Sequence, residues 1–138
     1  MTRRIAPPVA AVAVALLLAQ PADAARGQAR NGLTAAGEAR AFEVFTRAGF
    51  GGADYFCAAG DFARVHLNAG PTDRVTVLRA AGPSETRPNR RSILFGLRPP
   101  GASDNRGLST VFATSARPGT SRSVAHAIAL CRPGPPDE

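Results

Sequence analysis

Apolar and polar positions divide the chain into a few short elements. Phe42, Val44 and Thr46 alternate with Glu43, Phe45 and Arg47, which predicts a first strand apolar enough on both sides to be partly covered on each. Gly49, Gly51 and Gly52 break it. The period then lengthens, because Tyr55, Ala59, Phe62 and His66 recur at helical spacing beside Phe56, Ala63 and Leu67. This predicts a helix over 54–69, capped by Asp54 and ended by a left-handed Gly70 before Pro71. Strands are predicted at 74–80 (Val75, Val77), 91–98 (Ile93, Phe95, Leu97) and 108–115 (Leu108, Thr110, Phe112). The turns between them are rich in Gly and Pro, so an antiparallel meander is the simple arrangement. Over 122–131 the pattern fits a helix (Val124, Ile128, Cys131) behind a Ser121 or Ser123 cap, and also a strand (Val124, His126, Ile128, Leu130). Ala125, Ala127 and Ala129 favour the helix.

The expected architecture is α+β: a small single domain over 41–132, ordered strand, helix, three-stranded antiparallel meander, helix. At 138 residues the chain is too short for a multidomain enzyme. Residues 25–40 are Ala-, Gly- and Arg-rich with Leu33 as their single large apolar residue, which reads as a flexible leader. The tail 133–138 reads as disordered.

Residues 1–24 have the parts of a secretory signal peptide. Arg3 and Arg4 precede the apolar run Val9 to Ala19, and the small-residue site Ala22-Asp23-Ala24 places Sec-type cleavage after Ala24. That run is about 16 Å long as a helix, roughly half a bilayer core, so it suits a cleaved signal and leaves no transmembrane segment behind. Ala6-Pro7-Pro8 disfavours a twin-arginine signal. The expected location is the periplasm or the medium. There the two cysteines, Cys57 and Cys131, are expected to form a disulfide that supports a small core.

Composition narrows the chemistry further. All 17 basic residues are Arg, the acidic residues number 10, and the formal charge is +7. His66 and His126 are the only histidines, with no ligand spacing between them or to either Cys, so no metal and no cofactor is expected. Asp54 and Asp61 fall on nearly one helical face, about 10 Å apart along the axis. The simpler reading makes Asp54 a cap and pairs Asp61 with Arg64. No nucleophile motif, haem attachment motif or phosphate loop occurs. The element order matches double-stranded-RNA-binding domains in topology, yet the Lys-rich start of their second helix is missing at Ser121 to Ala125, and nucleic acid is not an expected partner. Arg87, Arg90 and Arg91 cluster around one loop, with Arg74, Arg79 and Arg98 on adjoining strands, a candidate positive patch for an anionic envelope component or an acidic protein.

The segment Ala53-Asp54-Tyr55-Phe56-Cys57-Ala58-Ala59-Gly60-Asp61-Phe62-Ala63, with Ser123-Val124-Ala125 ahead of Cys131, resembles small exported alphaproteobacterial proteins of unassigned function. The resemblance spans roughly 50–131 and implies export and a cysteine pair, with no activity, cofactor or catalytic residue. The sequence therefore points to an exported binding or accessory domain without catalytic activity, contacting its partner through Arg87, Arg90 and Arg91. The alternatives are a small periplasmic hydrolase using Asp54, Asp61 or His66, and an inhibitor of an extracellular lytic enzyme. No oligomeric state is assigned.

Overall fold

In the computed structural model, residues 2–5, 24–101 and 116–131 are described. The expected signal peptide, the strand at 108–115 and the tail 133–138 lie wholly or mostly outside these residues. The molecule is a mixed α+β structure: six strands, β1 (Ala25–Gln28), β2 (Thr34–Gly37), β3 (Phe42–Phe45), β4 (Arg74–Pro83), β5 (Arg91–Arg98) and β6 (Ser121–Ser123), and two helices, α1 (Gly52–His66) and α2 (Val124–Ala129). The strands form one antiparallel sheet in the order β1-β2-β3-β5-β4-β6.

A three-stranded meander is not what forms. β4 and β5 pair as a hairpin, but the other edge of β5 is taken by β3, with Phe42 opposite Phe95 and Val44 opposite Ile93. The other edge of β4 is taken by β6. The apolar face of β3 explains the pairing. Phe42 and Val44 continue the row of Phe95, Ile93, Val75 and Val77, and all six side chains are buried under α1. Phe62 of α1 meets Phe42 at 5.3 Å between ring centroids, and Phe56 meets Phe95 edge-on at 5.4 Å.

The stretch 25–40 is structured, contrary to the leader its composition suggests. β1 and β2 form a hairpin with Leu33, Ala29 and Ala35 buried against α1. Small residues suit this place because the helix comes very near. A Cβ added at Gly27 would collide with the imidazole of His66, which α1 lays over it. The connection is also tied polar group to polar group: the Arg30 N–H donates to Asp61 (2.9 Å) and the Asn31 amide to the Asp54 carbonyl (2.8 Å).

Helix α1 begins earlier than expected, with Gly51 as the flanking residue and Asp54 inside the first turn, where its carboxylate accepts the Gly51 N–H at 2.9 Å. Its end also differs. Asn68, at φ 54°, takes the left-handed position in place of Gly70, and the Leu67 and Ala69 N–H groups both return to the Ala63 carbonyl. Nine consecutive residues, Tyr55 to Ala63, are buried because α1 lies between the sheet and α2. Gly60 allows that second contact, since a Cβ there would sit 2.7 Å from the Cβ of Ala127. Helix α2 is capped by Ser123, whose hydroxyl accepts the His126 N–H. Cys57 and Cys131 form a disulfide across the two helices, closing a sequence separation of 74 residues.

Candidate anion-contact surface

Every side chain of β3 is buried, including Glu43 and Phe45, which alternation places on the face turned away from α1. The connection from Ser84 to Arg90 covers them. Both Glu43 oxygens are used: Oε2 accepts the Ser84 hydroxyl at 2.6 Å and Oε1 accepts the Glu85 N–H at 3.1 Å. The Ser84 oxygen in turn accepts the Thr86 and Arg87 N–H groups at 3.2 and 3.0 Å, and the Ser84 N–H closes the loop onto the Arg90 carbonyl at 2.8 Å. Asn89 supplies the left-handed residue the turn requires, at φ 61°.

The loop thus delivers two cations onto one ring. The guanidinium carbon of Arg87 stands 4.5 Å from the Phe45 centroid and that of Arg90 stands 5.1 Å away. Because both lie against the same ring, the two charges are within about 10 Å of each other. Neither is ion-paired among the described residues, and stacking leaves the N–H groups at the guanidinium edges as donors. The nearest acidic group on the loop, Glu85, faces Arg79 instead, at 3.7 Å, a charge contact longer than a hydrogen bond. Arg79 lies opposite Leu94, as Glu43 does, and binds the carbonyl and hydroxyl of Ser92.

Burial of Glu43 favours its neutral form. Hydrogen bonds from Ser84, Ser92, the Glu85 N–H and Thr86 outweigh that effect and hold the carboxyl below its ordinary value. It is therefore ionised at neutral pH.

The other basic residues do not join this pair. Arg91 alternates to the opposite side of β5 from Ser92, and its guanidinium donates to the Ala81 carbonyl at 3.3 Å. Arg98 sits at the far end of β5, about 23 Å from Arg91 by strand rise. There it is opposite Arg74, which binds Ser121. The arginines expected to form one patch thus fall into separate places: Arg87 and Arg90 share the Phe45 ring, and Arg74 and Arg98 face each other across the far end of β4 and β5.

The residues considered for hydrolysis are engaged separately. Asp61 is 6% exposed, and its oxygens take the Arg30 N–H, the Arg30 guanidinium and the Arg64 guanidinium. Burial pushes its carboxyl up, but the Arg30 N–H, Arg64 and the charge of Arg30 together hold it below the ordinary aspartate value. Asp54 is occupied at the helix start, and the His66 ring packs on Phe62 at 5.1 Å and over Gly27. Among the described residues no group of three or more His, Cys, Asp or Glu side chains could hold a metal ion, and no helix is long and apolar enough to cross a membrane. An apolar groove of about 370 Å³ lies between the end of α1 and α2, lined by Arg64, Ala69, Pro71, Val124, Ala125 and Ile128. Its one charged side chain, Arg64, is the partner of Asp61.

Phe45, Glu43 and Ser84 carry the site, and sequence reasoning named none of them as functional. The available signal was the strand with apolar character on both sides, in which Phe45 needs a cover that the adjacent Arg-rich loop supplies. Comparison of the chain with protein-family models, with curated proteins and with solved structures finds no match. No residue role is carried over from another protein.

Proposed function

We propose that this protein is an exported, disulfide-stapled accessory domain of the periplasm, without catalytic activity, that binds an anionic envelope component through Arg87 and Arg90. The observation that carries this reading is two guanidinium groups held against one buried ring, neither of them ion-paired with a carboxylate among the described residues. A pair so fixed presents donor edges suited to phosphate or carboxylate oxygens and loses little side-chain freedom on binding. Export fits the signal-like start of the chain, and the disulfide fits an oxidising compartment. Binding is favoured over hydrolysis because the oxygens of Asp61 are committed to two arginines and that of Asp54 to a helix start.

The test separates a site from mere positive charge. Arg87→Ala with Arg90→Ala is compared on phosphocellulose with a charge-matched control, Arg26→Ala with Arg98→Ala, both of whose targets are exposed. The expected result is elution of the first variant at distinctly lower salt than the control, both folded. Equal elution of the two would reduce the interaction to net charge and refute the site.

A further inference from the structure

We propose that Glu43 is the positioning residue of this surface, so that a buried carboxylate promotes anion binding by the cations beside it. The inference rests on the anion-contact reading above and goes beyond it by assigning what holds the pair in place.

The connection is continuous. The single Ser84 hydroxyl hydrogen is given to Glu43, which fixes the direction of the two lone pairs. Both lone pairs are then spent on the Thr86 and Arg87 N–H groups. The backbone of Arg87 is thereby set where its side chain reaches Phe45, two residues along the same strand face from Glu43. Ser84 also holds Arg90 through its backbone N–H. Glu43 is 2% exposed and needs to be acceptor at both oxygens, because one partner is an O–H and the other an N–H. An amide cannot satisfy both. With its oxygen toward Ser84, glutamine turns its NH₂ against the Glu85 N–H. Reversed, it offers Ser84 a third donor where only two lone pairs exist.

This gives the proposal an unusual sign. Glu43→Gln removes a negative charge near two arginines, and Coulomb attraction alone then requires tighter anion binding. Positioning requires the opposite. The probe is tripolyphosphate, titrated while the Arg Nε–H signals are followed by NMR. We expect Glu43→Gln to bind roughly three- to tenfold more weakly, the scale of one lost ordinary hydrogen bond. The Arg87 signal in the free protein should also lose the ring-current shift that Phe45 imposes. Ser84→Ala, which leaves the charge unchanged, should do the same and carries the test if Glu43→Gln does not fold. Unchanged or tighter binding with the Arg87 shift retained would overturn the proposal. If Arg87→Ala with Arg90→Ala leaves tripolyphosphate binding intact, the anion reading itself fails and this inference falls with it. If that pair matters and the Glu43 and Ser84 variants do not, only the positioning role is wrong.

Discussion

The two faces of β3 are both closed, by different physics. On one, Phe42 and Val44 are buried under α1 among aromatic and aliphatic side chains. On the other, Glu43 and Phe45 are buried under a loop held by directional hydrogen bonds and two cations. Apolar burial is indifferent to partner identity, pH and salt to first order, whereas the second face depends on charge state and geometry at each link. The difference separates the part of the molecule that supplies stability from the part that can recognise something.

Substitutions on the two faces should therefore fail in different ways. The largest effect is expected from Phe42→Ala, which empties a site shared with Phe62 and Phe95. It should cost about 3–5 kcal/mol, a large share of the stability of a domain this size, read from the midpoint of urea unfolding. Reducing the Cys57–Cys131 bridge belongs to the same class, at about 4 kcal/mol from chain entropy. Phe45→Leu keeps an apolar side chain on the outer face but removes the ring under Arg87 and Arg90. It should cost only about 1–2 kcal/mol, yet weaken anion binding as much as removing an arginine. If Phe45→Leu proved as destabilising as Phe42→Ala while leaving binding intact, the division between the faces would be wrong.

Acid gives the smallest and most graded effect. Glu43 and Asp61 both have folded-state values below their ordinary ones, so the unfolded chain takes up protons first as pH falls. Their contribution is complete above the ordinary carboxylate range and is lost as pH drops through the depressed folded values. Melting temperature should thus hold steady down to about pH 5 and decline below it, with a shallower decline in Asp61→Asn. A decline of equal steepness in that variant would remove Asp61 from the account.

Much of the inner face was legible from the sequence, and little of the outer. The strand Arg91–Arg98, the body of α1 and the disulfide follow from periodicity and cysteine pairing, whereas the pattern over 122–131 allows helix or strand and only its alanines favour the helix that forms behind Ser123. The hairpin of β1 and β2 did not, because Ala, Gly and Thr carry weak strand signals. Here they serve as small residues under a close helix, as Gly27 beneath His66 illustrates. The neighbour of β5 was misread because turn composition predicts hairpins and says nothing about which distant strand closes an edge. The outer face was hidden for a related reason: Glu43 and Ser84 are 41 residues apart, and nothing local marks a glutamate as the anchor of an arginine loop.

The most direct test of the central claim is a map of which arginines feel an anion. Tripolyphosphate is added to the protein while the Nε–H signals of its arginines are followed by NMR. The account predicts saturable shifts concentrated at Arg87 and Arg90, with Arg26, Arg91 and Arg98 nearly still. Shifts spread evenly over the exposed arginines, or centred on Arg74 and Arg98 at the other end of the sheet, would contradict it.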